Sequence, residues 1–171
     1  AKEAGYDIET VVTVNDDKAH YYPGADNFVT KLIADKKMDK LLGVQVLGPG
    51  AVDKMVDIGV TAITLGATLE QLENMDLAYA PPFSTAIHPF VAAVNIMLNK
   101  LEGRLETMTP AEYLENKGEG YRVIDVSLRP ALPDAMFVDV AKINGPLKGV
   151  DKDEKILLIC TKGKRSYLLQ Q

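Results

Sequence analysis

The stretch Ile156-Leu157-Leu158-Ile159-Cys160-Thr161-Lys162-Gly163-Lys164-Arg165-Ser166 sets the expected fold of the second half of the chain. Its four leading apolar residues form a short run with polar flanks, which predicts a buried strand. A loop with one glycine and three cationic residues follows, and Ser166 is a possible N-cap of a helix that starts there. The stretch therefore predicts a strand, a tight loop and a helix, with the only cysteine of the chain at the start of the loop.

This placement of Cys160 favours a reactive thiol. A thiol is nucleophilic as the thiolate, and nearby cationic groups and backbone amides lower its pKa. The alternative is a buried structural cysteine that packs like a small apolar residue. The cationic loop favours the reactive interpretation, with Cys160 as nucleophile. The candidate substrate-binding residues are Lys162, Gly163, Lys164, Arg165 and Ser166.

The composition restricts the class of protein. The chain has 171 residues, 47% apolar and 25% charged, and a formal net charge of −5. The negative charge argues against a nucleic-acid binder, and one cysteine excludes an intrachain disulfide. No apolar run is long enough to span a bilayer, and residues 1–7 lack the apolar segment of a signal peptide. We expect a cytoplasmic protein without membrane association and without a metal site.

The first half of the chain combines strand and helix patterns. Strands are predicted over 8–14, 28–34 and 41–47, the last two joined as a hairpin, and helices over 51–65, 68–75 and 88–101. This order predicts an α+β domain in which helices back an antiparallel sheet. No strand is followed by a glycine-rich phosphate-binding motif. The domain is predicted to span residues 1–104.

The helix predicted from residue 88 has a broad apolar face. This face either packs on the sheet or contributes to a symmetric dimer interface. Its members are Phe90, Val91, Val94, Met97, Leu98 and Leu101.

Four motifs of the first half resemble the C-terminal dimerisation domain of the pyridine nucleotide-disulfide oxidoreductases. They are residues 19–25, 42–48, 52–57 and the segment Leu77-Ala78-Tyr79-Ala80-Pro81-Pro82-Phe83-Ser84. The last segment is similar to the branch that reduces coenzyme A disulfide or persulfide. The resemblance implies a homodimer in which tyrosines of one subunit serve the partner's substrate site. By motif position these are Tyr79 and one of Tyr21 and Tyr22.

A phenol suits this role because it can donate a proton to a departing thiolate while its ring packs on the substrate. The alternative is that these loop tyrosines only fill surface grooves. His88-Pro89 also resembles disulfide reductases that use a histidine as acid and base, but those enzymes need a nearby glutamate. None follows here before Glu102. We therefore expect His88 to begin a helix rather than to act as a base.

The second half predicts a partial α/β domain over residues 105–171. A capping box, Thr109-Pro110-Ala111-Glu112, begins a helix to about residue 116. Buried strands are predicted over 121–126 and 156–159, with a short extended segment over 137–140. Two apolar strands separated by connecting segments favour a parallel sheet.

These motifs are similar to those of a rhodanese domain. The similarity rests on residues 109–113, on Val123-Ile124-Asp125-Val126 and on the Cys160 loop. It implies that Cys160 carries a persulfide whose terminal sulfur is held by loop amides, with Lys162, Lys164 and Arg165 near the anionic donor. Ser127 stands where the family commonly has arginine. A rhodanese domain would continue beyond Gln171, so we expect a truncated domain and a chain that is part of a longer reductase.

The length of the loop favours sulfur over phosphate. Four residues separate Cys160 from Arg165. Cysteine phosphatases have one more, which makes a wider cradle for a tetrahedral phosphate. The shorter loop suits a single sulfur atom, and sulfur transfer is favoured over phosphatase activity.

Three hypotheses for function follow. In the first, the chain is the C-terminal part of a reductase of coenzyme A disulfide, persulfide or polysulfide that uses FAD and NAD(P)H, and it supplies dimerisation and a sulfur-carrying cysteine. None of these cofactors is expected to bind this chain alone. In the second, the chain serves assembly without catalysis. In the third, it is a stand-alone sulfurtransferase or phosphatase acting through Cys160.

Overall fold

A computed structural model of the protein describes residues 1–170. The chain divides into two compact units, Ala1–Arg104 and Leu105–Gln171. Each unit contains one three-stranded sheet. Among residues 1–170, no helix is both long enough and apolar enough to cross a membrane.

The sheet of the first unit is antiparallel. Its strands are β1 (Ile8–Asp16), β2 (Asn27–Asp35) and β3 (Lys40–Leu47), in the order β1-β2-β3. β1 and β2 pair without interruption, whereas the β2–β3 register shifts once between Ile33 and Ala34. The three predicted strands and the hairpin are confirmed, and the strands extend one or two residues beyond the predicted limits.

Three helices back this sheet, as predicted for an α+β fold. They are α1 (Val52–Leu65), α2 (Leu69–Glu73) and α3 (Pro89–Leu101). The capping box predicted at Thr68 is present: its hydroxyl accepts a hydrogen bond from the Gln71 N–H, and the Gln71 side chain accepts one from the Thr68 N–H. The core is an apolar cluster in which sheet and helices interdigitate. Its buried members are Val11, Phe28, Leu32, Ala34, Leu41, Met55, Ala62, Leu69, Leu72, Phe90, Ala93, Val94 and Met97.

The apolar face of α3 belongs to this core. Phe90, Val94 and Met97 are completely buried, and Leu98 and Leu101 pack against the cluster while partly exposed. The helix contacts β1 and β2. The expectation that this face packs on the sheet is confirmed, and its buried side chains are not free to form a dimer interface.

The second unit has a parallel sheet. Its strands are β4 (Arg122–Asp125), β5 (Met136–Phe137) and β6 (Ile156–Ile159), in the order β5-β4-β6. β4 pairs parallel with both neighbours, which confirms the predicted parallel arrangement. The helical segments are α4 (Pro110–Glu112) and α5 (Lys164–Gln170). A turn over Tyr113–Lys117 continues α4, and its backbone leaves helical geometry at Glu115 and Asn116. The predicted capping box at Thr109 is present at the start of α4.

Two details of this unit differ from the prediction. The extended segment predicted over 137–140 is a strand only at Met136–Phe137, because Asp139 accepts a hydrogen bond from the Ala141 N–H and starts a 3-10 turn over Val140–Lys142. The final helix begins at Lys164, so Ser166 lies inside α5 and is not its N-cap. The Ser166 hydroxyl instead donates to the carbonyl oxygen of Gly163, 2.8 Å away.

Candidate functional site

Cys160 lies at the carboxyl edge of the parallel sheet. It directly follows β6, whose last residue, Ile159, is in register with Asp125 at the end of β4. The N–H of Val126 donates to the carbonyl oxygen of Ile159 across 2.9 Å, which holds the two strand ends together. This edge is where open sheets with parallel strands place their ligands. The half-buried thiol is thus presented by a rigid strand at the start of a tight loop.

Backbone N–H groups of the loop converge on the Cys160 sulfur. Burial by itself raises the pKa of the thiol. The N–H groups of Ser166, Lys162 and Arg165 act in the opposite direction, as does the Ser166 hydroxyl. These donors outweigh burial, so the pKa of Cys160 lies below its ordinary value. The loop therefore stabilises a negative charge at the sulfur.

The turn of this loop depends on Gly163. Its φ of +75° is in the left-handed region that favours glycine. The Gly163 N–H donates to the carbonyl oxygen of Cys160 across 3.4 Å, and the Gly163 carbonyl accepts from the Tyr167 N–H at 2.9 Å. These two bonds fold the chain back around the sulfur. The Ser166 hydroxyl oxygen lies 3.7 Å from the Cys160 Sγ.

The predicted loop residues differ in whether their backbone or their side chain contributes to the Cys160 site. Lys162, Arg165 and Ser166 act on the sulfur through their backbone amides, and Ser166 also through its side chain. The side chains of Lys162 and Lys164 are exposed, whereas that of Arg165 is half-buried. The loop therefore combines a cradle of amides with a cationic surface.

Sequence reasoning missed the role of Asp125 beside this edge. Its completely buried carboxylate accepts hydrogen bonds from the N–H groups of Ser127 at 2.9 Å, Ala131 at 2.5 Å and Leu132 at 3.1 Å. Ser127, whose N–H makes the bond of good geometry, contributes most to lowering the pKa of Asp125, and burial opposes this effect. With the N–H groups of Ala131 and Leu132, the pKa reaches about 2. Asp125 is thus ionised and organises the loop that follows β4. The available signal was an acid at the end of an apolar strand.

In the first unit, the loops that carry the candidate tyrosines meet. The N–H of Ala19 donates to the carbonyl oxygen of Pro81 across 3.3 Å. Tyr21 and Tyr79 interact through their phenols and remain 67% and 49% exposed. Burial, followed by the charge of Tyr21 and the hydrogen bond with it, raises the pKa of Tyr79. The two loops therefore present an accessible pair of phenols.

Tyr22 differs from its neighbour Tyr21. The Tyr22 side chain is 38% exposed, and its N–H closes a turn by donating to the carbonyl oxygen of Ala19 at 2.8 Å. Tyr21 instead packs edge-to-face against His20, with ring centroids 5.4 Å apart. Of the two candidates, Tyr21 is the one in contact with Tyr79.

His88 begins α3, as predicted. Its Nδ1 accepts a hydrogen bond from the Phe90 N–H at 3.2 Å, and Pro89 occupies the first turn. Burial, and then the charge of Lys54, lower the pKa of His88 to about 4, so the ring is neutral at neutral pH. The ring borders a cleft of about 240 Å³ whose other polar side chains are Asp17, Lys18 and Lys54. Among residues 1–170, no cluster of three or more His, Cys, Asp or Glu side chains is arranged to hold a metal ion.

Comparison with known proteins adds the family context. The sequence profile of the pyridine nucleotide-disulphide oxidoreductase dimerisation domain matches residues 1–90. The chain is 34% identical over 97 residues to the NAD(P)H sulfur oxidoreductase (CoA-dependent) of Pyrococcus furiosus. It is 32% identical over 97 residues to the NAD(P)H coenzyme A polysulfide/persulfide reductase of Pyrococcus horikoshii. These alignments cover 57% of this chain but 22% of either relative, so the chain matches about a fifth of their length.

Two solved structures are similar to the chain over both units. A NAD-dependent persulfide reductase from A. fulgidus superposes with a TM-score of 0.88 and 35% identity, covering 99% of this chain and 31% of that protein. The reduced CoADR-RHD of Bacillus anthracis superposes with a TM-score of 0.89 and 29% identity, again over 99% of this chain and 31% of the other. The similarity therefore includes the Cys160 unit as well as the unit that matches the family profile.

Proposed function

The chain belongs to the pyridine nucleotide-disulphide oxidoreductase family, and on this premise we propose that it is the C-terminal part of a reductase of coenzyme A disulfide, persulfide or polysulfide. Similarity to the A. fulgidus persulfide reductase, at 35% identity over 99% of the chain, is the observation that carries this proposal. Relatives named as coenzyme A-dependent sulfur and polysulfide reductases support the same substrate class. The first unit would dimerise, and the second would carry sulfur on Cys160.

In the first unit, the phenol pair supports a role in the sulfur reaction. Reduction of a coenzyme A disulfide or persulfide releases a thiolate, which a hydrogen-bond donor stabilises. Tyr21 and Tyr79 are exposed and in mutual contact, and the pKa of Tyr79 is raised, so it keeps its proton at neutral pH. We assign them to the substrate site of the partner subunit in a homodimer. Tyr22 would support the turn that presents Tyr21.

The cofactors of the proposed reductase are FAD and NAD(P)H. When bound, the flavin would pass electrons from the nicotinamide to the sulfur substrate. The residues described here do not fit a dinucleotide by themselves: the sheet of the first unit is antiparallel, and no strand in residues 1–170 is followed by a glycine-rich phosphate loop. We therefore assign cofactor binding to other parts of the longer reductase and assign to this chain dimerisation and sulfur handling.

In the second unit, we propose rhodanese-like sulfur transfer. The Cys160 thiolate attacks the outer sulfur of an anionic donor such as thiosulfate, the sulfur–sulfur bond of the donor breaks, and sulfite leaves with the electron pair. The product is a Cys160 persulfide whose charge lies on the terminal sulfur. Convergent loop amides stabilise such a charge, and the exposed Lys162 and Lys164 attract an anionic donor. Arg165, which is half-buried, completes the cationic surface.

The two units belong to one chain, which favours the combination of a reductase with sulfur transfer. A persulfide formed in one unit of a chain is delivered to a site in the same assembly at a high effective concentration. Reactive sulfur is thereby transferred without release into solution.

Two measurements test the proposal. Sedimentation equilibrium should show a dimer, and a monomer at high protein concentration would contradict the dimerisation role. Incubation with thiosulfate and a thiol acceptor should release sulfite and reduced sulfur from the unsubstituted chain. Cys160→Ser is the matched control and should abolish release. Equal release by both proteins, or by neither, would refute the assignment of sulfur transfer to Cys160.

A further inference from the structure

Resting on the proposed sulfur-carrying role of Cys160, we propose that the Ser166 hydroxyl is a catalytic hydrogen-bond donor. It bonds to the Gly163 carbonyl while Cys160 is a thiol, and it turns to the Cys160 sulfur when that atom becomes a thiolate. The donor would thus act at the moment when the cysteine is released from its persulfide.

The geometry around Ser166 allows two hydrogen-bond arrangements. Its hydroxyl oxygen lies 2.8 Å from the carbonyl oxygen of Gly163 and 3.7 Å from the Cys160 Sγ. With Cys160 as a thiol, the S–H donates to the hydroxyl oxygen, and the hydroxyl donates to the carbonyl. With Cys160 as a thiolate, the sulfur has no proton to donate, and the single hydroxyl proton is attracted to the charged acceptor.

The Gly163 carbonyl keeps a hydrogen bond when the Ser166 hydroxyl turns to the sulfur. The Gly163 oxygen also accepts a hydrogen bond from the Tyr167 N–H at 2.9 Å. Gly163 is exposed to solvent, and its carbonyl keeps the bond from Tyr167 in either arrangement. The hydroxyl can therefore turn to the sulfur at low cost.

The hydroxyl differs from the other donors around the sulfur. The N–H groups of Lys162, Arg165 and Ser166 belong to the backbone of the loop and have fixed directions. The hydroxyl rotates, so it can adapt to a sulfur that changes between thiol, persulfide and thiolate. The ordinary explanation for its position is that a serine inside a helix bonds back to the carbonyl three residues earlier. If the hydroxyl is purely structural, its removal should not change the reactivity of Cys160. If it donates to the sulfur, its removal should change that reactivity.

The transfer step identifies where the donor acts. An acceptor thiolate attacks the terminal sulfur of the Cys160 persulfide, and the sulfur–sulfur bond breaks. The electron pair of that bond goes to Sγ, so that Cys160 becomes a thiolate and the acceptor becomes a persulfide anion. Charge and electrons balance without a reductant or a proton. A donor at Sγ stabilises the leaving thiolate and therefore the transition state.

The first test follows alkylation of Cys160 by iodoacetamide as a function of pH in the full chain. Ser166→Ala should shift the alkylation profile to higher pH and slow the reaction near neutral pH by about three- to tenfold, since one hydrogen bond to a charged group is lost. Ser166→Thr keeps the hydroxyl and should stay close to the unsubstituted protein. An unchanged profile in Ser166→Ala would overturn the proposal. Hydrogen exchange of the β6 and α5 amides confirms that each variant retains its fold.

The second test measures single-turnover transfer from the thiosulfate-loaded chain to dithiothreitol. Ser166→Ala should slow this transfer several-fold, and Ser166→Thr should restore most of the rate. If the unsubstituted chain transfers sulfur and Ser166→Ala does so equally fast, the role of Ser166 is refuted while the proposed function stands. If the unsubstituted chain transfers none but the alkylation profile still shifts, the proposed function fails and the contact between Ser166 and Cys160 stands.

Discussion

The N–H of Ala19 donates a hydrogen bond to the carbonyl oxygen of Pro81. This bond joins the loop between β1 and β2 to the segment between α2 and α3, which are far apart in sequence. Each of these segments carries a candidate tyrosine, and Tyr21 on one segment interacts with Tyr79 on the other. The backbone bond and the phenol interaction thus join the same two segments of the first unit.

Replacement of Tyr21 by Phe should lower the pKa of Tyr79. Burial of Tyr79 persists, but the charge and hydrogen bond of its partner are lost, so the pKa should return part of the way toward its ordinary value. Titration of ring-labelled tyrosines by NMR measures this change. Tyr22→Phe is the matched control and should leave the pKa of Tyr79 unchanged. Equal effects of the two substitutions would contradict the assignment of Tyr21 as the partner.

His88 should make the stability of the first unit depend on pH. The folded state depresses the pKa of His88 from 6.5 to about 4. Between these values the unfolded chain binds a proton that the folded chain does not, so the contribution of His88 to stability falls as pH drops from 6.5 to about 4. The full loss is on the order of 3 kcal/mol, because one pKa unit corresponds to about 1.4 kcal/mol.

His88→Asn provides the control for this prediction. Asparagine is a favoured N-cap and does not titrate, so the variant should lose the component of the pH dependence that belongs to residue 88. Urea unfolding of both proteins between pH 4 and 7, followed by NMR signals of the first unit, measures the difference. Parallel curves for the two proteins would refute the depressed pKa.

Gly59 should be required for the packing of α1 on β3. A Cβ at this position would overlap the Val44 side chain and lie 3.0 Å from its Cβ. Gly59→Ala should therefore destabilise the first unit by about 1–3 kcal/mol. Combining it with Val44→Ala removes the overlap, so the double variant should be more stable than the sum of the single effects predicts. Strict additivity in denaturant unfolding would contradict this packing.

Asp125 should stabilise the second unit through the loop after β4. Asp125→Ala leaves three backbone N–H groups without their acceptor and should cost about 2–3 kcal/mol. Asp139→Ala is a suitable control, because Asp139 accepts an exposed hydrogen bond from Ala141 and forms an exposed ion pair with Lys142, whose combined loss should cost about 1 kcal/mol. Hydrogen exchange of the β4 and β6 amides measures both effects. Equal loss of protection in the two variants would argue against a special role of Asp125.

Features with a local cause could be predicted from the sequence. The capping boxes at Thr68 and Thr109 and the N-cap at His88 depend on residues within three positions, and all three are present. The strands of the first unit and the parallel pairing of β4 with β6 followed from apolar patterns. Such signals are contained in a short window of residues.

Features that depend on distant contacts could not be predicted. Sequence alone did not distinguish Tyr21 from Tyr22, because only the contact with Tyr79 separates two adjacent tyrosines. The helix signal at Ser166 was wrong because a serine serves equally well as an N-cap and as an internal residue that bonds to an earlier carbonyl. The role of Asp125 depends on a loop that folds back by six and seven residues.

The intact mass of the chain after treatment with thiosulfate tests most directly whether Cys160 carries sulfur. We expect the chain to gain one sulfur atom and to lose it when a thiol acceptor is added, and we expect no gain in Cys160→Ser. Fragmentation should locate the added sulfur on Cys160. A chain that gains no sulfur, or gains it equally in Cys160→Ser, would contradict the proposal that this loop carries sulfane sulfur.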